Sequence, residues 1–110
     1  ALLSARRATP VHRYVTARRG GETVGYAITG VAGSTSYLKR LAVDPAARRK
    51  GVARELVQDA SEWAIGRGTL AMLVNTQQGN SGAVQLYRTL GFRLDEQGLK
   101  VLQWTTDSRR

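Results

Sequence analysis

Three cations in a row, Arg48-Arg49-Lys50, run directly into Gly51-Val52-Ala53 and then into a stretch with helical periodicity. This order of residue types suits the capture of a phosphate. Small residues at 51 and 53 let a ligand come close to the backbone. The free N–H groups of a first helical turn point outward and carry partial positive charge. A helix start of this kind is a ready anion site. Each charge-assisted bond from arginine to phosphate contributes about 1.5–3 kcal/mol, so several in one loop suffice to hold a pyrophosphate. The same cations oppose the helix dipole by roughly 0.3–1 kcal/mol each. A purely structural helix would carry Asp or Glu there, and the pattern therefore points to a bound anion.

Other chemistry is missing from the 110 residues. There is no G-x-x-x-x-G-K-[ST] loop. Gly66-Arg67-Gly68-Thr69-Leu70-Ala71 mimics a dinucleotide fingerprint, but it follows a helix and precedes a strand, the reverse of the required order. It reads as a helix stop. The lack of cysteine excludes disulfides, thiolate catalysis and zinc–thiolate sites within this chain. His12 is the single histidine and reads as an ordinary strand residue, with no metal set around it. The net charge of +9 is lopsided: residues 1–50 hold ten Lys or Arg against Glu22 and Asp44, and residues 51–110 hold seven against six acids. Such an excess suits an anionic partner, whether a phosphorylated cofactor, nucleic acid or a membrane surface. No aromatic is interleaved with Arg6, Arg7, Arg18 and Arg19 as a base-stacking platform requires, so nucleic acid rests on charge alone. No apolar run is long enough to span a bilayer, and residues 1–9 lack the apolar stretch of a secretory signal. A cytoplasmic protein is the expectation.

The elements that must position the cationic loop follow from periodicity. Residues 1–10 are a basic N-terminal segment. Val11 to Arg18 alternates as a strand, Arg19-Gly20-Gly21-Glu22 signals a tight turn, and Thr23 to Thr29 is rich in strand formers. Gly30 to Ser36 is small and polar and reads as a loop. A third strand, Tyr37 to Val43, stops at Asp44-Pro45 because proline cannot continue a ladder. From Val52 the pattern turns helical, with Val52, Leu56, Ala60, Trp63 and Ala64 on one stripe, ending at Gly66 to Gly68. Leu70 to Val74 reads as a buried strand pairing in parallel with Tyr37 to Val43. A second helix follows a cap at Asn80 or Ser81, with Ala83, Leu86, Tyr87 and Leu90 on its apolar face and Gly91 at its end. Phe92 to Leu94 and Leu99 to Trp104 close the sheet, and residues 105–110 read as a frayed end. The predicted fold is an α/β domain over 11–104 with a mixed sheet, in the order β-β-β-α-β-α-β-β.

Two segments of this frame carry a resemblance. Leu41-Ala42-Val43-Asp44-Pro45, then Arg48-x-x-Gly51-x-Ala53 and Leu56-Val57, resembles the cofactor motif [RQ]-x-x-G-x-[GA] of the GNAT superfamily of acyl-CoA-dependent N-acyltransferases. Asn80-Ser81-Gly82-Ala83-Val84-Gln85-Leu86-Tyr87-Arg88-Thr89-Leu90-Gly91-Phe92 is similar to that family's N-x-x-A-x-x-L-Y-x-x-x-G-F. The resemblance covers about Val11 to Trp104. It implies a cofactor cleft between two splayed central parallel strands and transfer of an acetyl group from acetyl-CoA to an amine acceptor. It also implies roles. The backbone of Leu41, Ala42 and Val43 would bond the pantetheine arm, and Arg48, Arg49, Lys50, Gly51, Val52 and Ala53 would wrap the pyrophosphate. Asn80 would bond the pantetheine or pyrophosphate region, and Ala83, Leu86 and Tyr87 would line the acyl and thiol end. Tyr87 would protonate the departing thiolate, a leaving group with pKa near 8.5. Read from spacing alone, Tyr87 fits a core tyrosine equally well.

The chain departs from the family's pattern in two ways. Many members place a glutamate on the strand equivalent to Tyr37–Val43 as general base, whereas Tyr37, Lys39 and Arg40 stand there and Asp44 lies beyond. Water, with Asn75 at the end of its strand placed to orient it, or a residue outside this chain would then take the proton, or the domain no longer catalyses. The family's first strand and helices, which help to form the acceptor wall, would be absent, supplied in reduced form by residues 1–10, or contributed by a partner chain or a preceding segment that completes the acceptor site. A module of the same type that binds acyl-CoA in a regulatory or structural role is the alternative reading.

Overall fold

The computed structural model describes residues 2–5, 12–48, 51–75, 81–94 and 101–105. Its first strand, β1 (Leu2–Ala5), pairs antiparallel with β2 (His12–Arg19), from Leu2 against Arg18 to Ala5 against Val15. β2 turns through Gly20-Gly21 into β3 (Glu22–Ala32), and β3 turns through Gly33-Ser34 into β4 (Thr35–Val43). A 3-10 helical turn at Pro45–Ala47 leads to helix α1 (Val52–Gly66), then β5 (Ala71–Asn75), helix α2 (Ser81–Thr89), β6 (Arg93–Leu94) and β7 (Val101–Thr105). The seven strands form one mixed sheet in the order β1-β2-β3-β4-β5-β7-β6.

The α/β class and the order of elements from His12 onward are as expected, with three corrections. Leu2–Ala5 is a strand, so the sheet begins before Val11. Four residues without periodicity give no signal of their own, and this strand exists only through its pairing with β2. Gly30 to Ser36 is not a loop. Its small residues continue both strands, and only the two-residue turn at Gly33-Ser34 interrupts them, with Val31 paired to Ser36 and Ala32 to Thr35. Thr105 belongs to β7 rather than to a frayed end, paired with Ala71.

One face of the sheet carries the core. α1 packs across β2, β3 and β4. It buries Val52, Leu56, Val57, Ala60 and Ala64 in one cluster with Val15, Ala17, Ala27 and Leu38. Truncating Leu56, which is fully buried, would cost about 2–5 kcal/mol. A polar clamp supplements this packing at the helix's outer edge. The Arg13 guanidinium on β2 pairs with both carboxylate oxygens of Asp59, and both Arg13 and Arg67 stand over the Trp63 ring, at 5.9 and 5.7 Å from its centroid. Arg13 therefore faces the helix, and its neighbours His12 and Tyr14 face the other way. The α1 end is closed as the glycines suggested: Gly68 has φ 86°, and the backbone and hydroxyl of Thr69 both donate to the Ala64 carbonyl.

Candidate active site at the parting of two strands

The register of β4 and β5 creates an opening. They pair in parallel from Thr35 against Ala71 to Leu38 against Val74, and there the pairing ends. β5 continues for one residue against β7, through Asn75 and Val101. β4 continues for five residues against β3 alone, through Arg40–Ile28, Leu41–Ala27, Ala42–Tyr26 and Val43–Gly25. Lys39 is the extra residue of a bulge, because Ile28 faces Arg40 while Thr29 faces Leu38. A bulge bends its strand and increases the local twist, and this one falls at the first β4 residue beyond the last pair with β5. Among the described residues, the β4 edge from Lys39 to Val43 that would have met β5 keeps backbone groups that no neighbouring strand satisfies. A ligand with amide groups can complete that ladder.

The open edge leads to the cationic loop. Asp44 is tied to β3 by its N–H to the Val24 carbonyl (2.7 Å), and its Oδ1 accepts the Ala46 N–H at 2.9 Å, capping the 3-10 turn. α1 begins differently. Gly51 stands at its N-cap with φ 80°, and no side chain caps the helix. The first intrahelical bond runs from the Glu55 N–H to the Gly51 carbonyl, so the N–H groups of Val52, Ala53 and Arg54 have no partner within the helix. A Cβ placed on Gly51 would meet nothing within 4 Å, which leaves open space above the backbone. Only glycine holds such a φ without strain. Arg48 is exposed and extended just ahead of it.

The far side of the opening is β5, backed by β7 and β6, on which α2 packs. Helix α2 contacts β6 and β7 and ends in a Schellman closure: Gly91 (φ 99°) donates to the Arg88 carbonyl at 3.1 Å, and Phe92 donates to the Tyr87 carbonyl at 3.0 Å. That closure brings the Phe92 ring edge-on to Tyr87, with centroids 5.4 Å apart. Tyr87 is buried, and burial pushes its phenol up to about 12. It stays protonated throughout the neutral range.

These features coincide with a known pattern. The acetyltransferase (GNAT) family description matches residues 2–92 of the chain. The chain belongs to the GNAT acetyltransferase family. N-alpha-acetyltransferase RimI of Mycobacterium tuberculosis is 37% identical over 90 residues, covering 78% of this chain and 55% of that protein. Aminoglycoside N(6')-acetyltransferase type 1 of Klebsiella aerogenes is 32% identical over 98 residues, covering 82% of this chain and 64% of its own length. The chain thus spans between about half and two thirds of the length of these two relatives. Among solved structures, PaiA N-acetyltransferase from Thermoplasma acidophilum, determined in complex with coenzyme A, superposes with a TM-score of 0.80 at 16% identity, covering 86% of this chain and 61% of that one.

Within this GNAT fold the described sequence-predicted residues fall on two parts of the chain, β4 with the start of α1, and α2. Leu41, Ala42 and Val43 lie on the parted end of β4, and Arg48, Gly51, Val52 and Ala53 follow in one continuous run to the helix start. Leu86 and Tyr87 lie on α2, across β5 from β4, and Ala83 is on the same helix. Arg49, Lys50 and Asn80 lie outside the described residues. Asn75 ends β5. The bulge at Lys39 had no warning in the sequence, since neither glycine nor proline marks it. Nor was the partner of His12 legible: its Nε2 lies 2.7 Å from Lys39 Nζ. Among the described residues no helix is long and apolar enough to cross a membrane.

Proposed function

We propose that the chain carries the acetyl-CoA site of an N-acetyltransferase, which moves an acetyl group from the thioester to an amine. The observation that carries this reading is the parting of β4 from β5 beyond Leu38 and Val74, directly upstream of a helix start left without a side-chain cap. The residues fit the cosubstrate part by part. Unpaired backbone groups on the Lys39–Val43 edge suit the amides of a pantetheine arm. The free N–H groups at Val52, Ala53 and Arg54, with Arg48 beside them and Arg49 and Lys50 between, suit a pyrophosphate. The relatives named above are called N-acetyltransferases, and the structural neighbour was determined with coenzyme A, which supports the same assignment.

In the reaction the neutral amine nitrogen attacks the thioester carbonyl carbon, the C–S bond breaks, and an amide and a thiolate result. The amine's surplus proton passes to water, because no carboxylate stands on β4. Tyr87 is the proposed donor to the sulfur. Its phenol, pushed up to about 12 by burial, is a weaker acid than an ordinary thiol, so full proton transfer to the sulfur is uphill. Its contribution is then a hydrogen bond to the developing thiolate, with solvent completing the protonation. A site that only binds acyl-CoA would need no such donor.

The decisive experiment has two readings. CoA or acetyl-CoA added in excess should raise the melting temperature, since a ligand that binds only the folded state stabilises it, by about 2.7 kcal/mol at one hundred times Kd. Acetyl-CoA with a panel of peptides and small amines should release free CoA. No rise with CoA removes the acyl-CoA site altogether. A rise without turnover across the panel leaves the binding module and removes the enzyme.

A further inference from the structure

The face of the sheet opposite α1 has a cavity of about 340 Å³ lined by His12, Gly30, Val31, Ala32, Tyr37 and Lys39. Its walls are apolar at one end and cationic at the other. Lys39 reaches it from β4 by lying across β3, and its Nζ comes 2.7 Å from Nε2 of His12 on β2. The crossing is possible because residue 30 is glycine: a Cβ there would stand 2.8 Å from Lys39 Cε and 3.5 Å from the His12 ring. The lysine is thus laid against the sheet rather than extended into solvent. Its ammonium has three donors, and His12 is its hydrogen-bond partner among the described residues. No acidic residue occurs in β2 or anywhere from 23 to 43, and Glu22, the one acid of these strands, stands at the far end of β3 from Gly30. Lys39 is also the bulge residue next to Leu38, the last β4 residue joined to β5. The cavity therefore borders the closed end of the opening.

We infer that this cavity binds an oxyanion carried by the acyl acceptor, a carboxylate or a phosphate, with Lys39 as its charge partner and Gly30 as the residue that positions the lysine. This rests on the acyl-transfer reading above. If the pantetheine arm runs along Leu41 to Val43 from a pyrophosphate at residues 48–53, its thioester lies toward Leu38, beside the cavity. An acceptor anchored there by its acid group presents its amine to the thioester. The apolar lining from Val31, Ala32 and the Tyr37 ring suits a short hydrocarbon body between acid and amine.

His12 is the only histidine in the sequence, so its imidazole proton signal reports on the cavity without assignment work. Titration of the intact chain at constant ionic strength with succinate, inorganic phosphate and neutral succinamide should give a saturable shift of that signal for one or both anions and none for the amide. The shift should disappear in Lys39→Met. An equal response to succinamide, or an undiminished response in Lys39→Met, overturns the site, and this arm does not depend on acetyl transfer. The second arm compares amines in pairs: 4-aminobutyrate against 4-aminobutanamide, and phosphoethanolamine against ethanolamine. The acid member of at least one pair should have a kcat/KM about tenfold higher or more, the scale of one charge-assisted hydrogen bond, and which pair responds identifies carboxylate or phosphate. Lys39→Arg should keep the preference, whereas Lys39→Met and Gly30→Ala should lose it, the latter by displacing the lysine stem without removing its charge. Equal rates within both pairs, or a preference that survives Gly30→Ala, refute the assignment. Failure of CoA to bind would instead remove the acyl-transfer reading, while the His12 titration would still decide on the oxyanion.

Discussion

Two helical segments begin on the same stretch of chain after β4, and their starts are finished in opposite ways. The 3-10 turn at Pro45–Ala47 has an aspartate at its cap, whose carboxylate accepts the Ala46 N–H, and a proline at its first position. Both are residues chosen for local stability. Helix α1 has a glycine in the left-handed region, no capping side chain and three cations before it. By the standards of the first start, the second is badly made. The comparison separates a terminus that is satisfied by its own chain from one left for something else to satisfy, and it does so within one loop at one level of exposure.

The contrast can be broken most forcefully at Gly51. Gly51→Glu places an anion where the pyrophosphate would lie and should lower CoA affinity about 100-fold or more by calorimetry. The fold should survive, since the space above residue 51 is open and the left-handed φ costs a non-glycine residue roughly 1–2 kcal/mol. Undiminished binding would mean that the anion site is elsewhere.

Tyr87→Phe probes α2. Turnover should fall by about 10²-fold with little change in CoA affinity, because the packing against Phe92 is kept and only the hydroxyl is lost. The same variant has a signature in stability. The folded phenol near 12 lies above its unfolded value of 10.0, so between those limits the folded state binds the additional proton. Stability from this group is present below pH 10 and is lost as pH rises toward 12, by an amount on the order of 2 kcal/mol. Denaturant titrations at pH 9 and pH 11.5 should show a smaller alkaline loss in Tyr87→Phe than in the parent. Equal losses would mean that the phenol is solvated.

Two smaller effects sharpen the comparison of helix starts. Arg48→Ala should weaken CoA binding about tenfold, whereas Arg67→Ala, at the opposite end of α1 from Gly51, should leave it unchanged. Asp44→Ala should cost about 1 kcal/mol of stability, measured by denaturant midpoint, and should not alter CoA affinity. If removing Asp44 weakened CoA as much as removing Arg48, the two starts would be one functional unit rather than two.

What the sequence disclosed follows the range of the forces involved. α1 was legible end to end, because Val52, Leu56, Ala60 and Ala64 recur at helical spacing and Gly68 stops the run. The glycine at its start was legible for the same reason: glycine, cations and the first helical turn lie within a few residues of each other. The role of Gly91-Phe92 was half legible. A C-terminal glycine announces itself, but the edge-on contact with Tyr87 appears only once the Schellman closure has turned the chain. β1 and the continuation of β3 and β4 through Gly30 to Ser36 were not legible. Those residues have weak strand preference and are held by neighbours distant in sequence, as Leu2 is by Arg18. The crossing of Lys39 over Gly30 to His12 is of the same kind, since its length depends on a bulge that shifts register by one.

The place of β7 has a consequence for how the chain acquires its site. It is the last described strand in sequence, yet it lies inside the sheet, between β5 and β6. During synthesis the meander β1–β4 and helix α1 can assemble from the N-terminal side in step with their emergence, since each strand pairs with the one just made. β5 has one neighbour in β4 but must wait for β7 to obtain its other, and β6 has β7 as its partner. The two strands that α2 contacts, β6 and β7, are therefore paired only after residues 101–105 have left the ribosome, however early α2 itself coils. A chain arrested before that point would have β4 and the start of α1 in place without β7 and β6: on the reading proposed above, it would hold a phosphate before the group proposed to act on the thioester is seated.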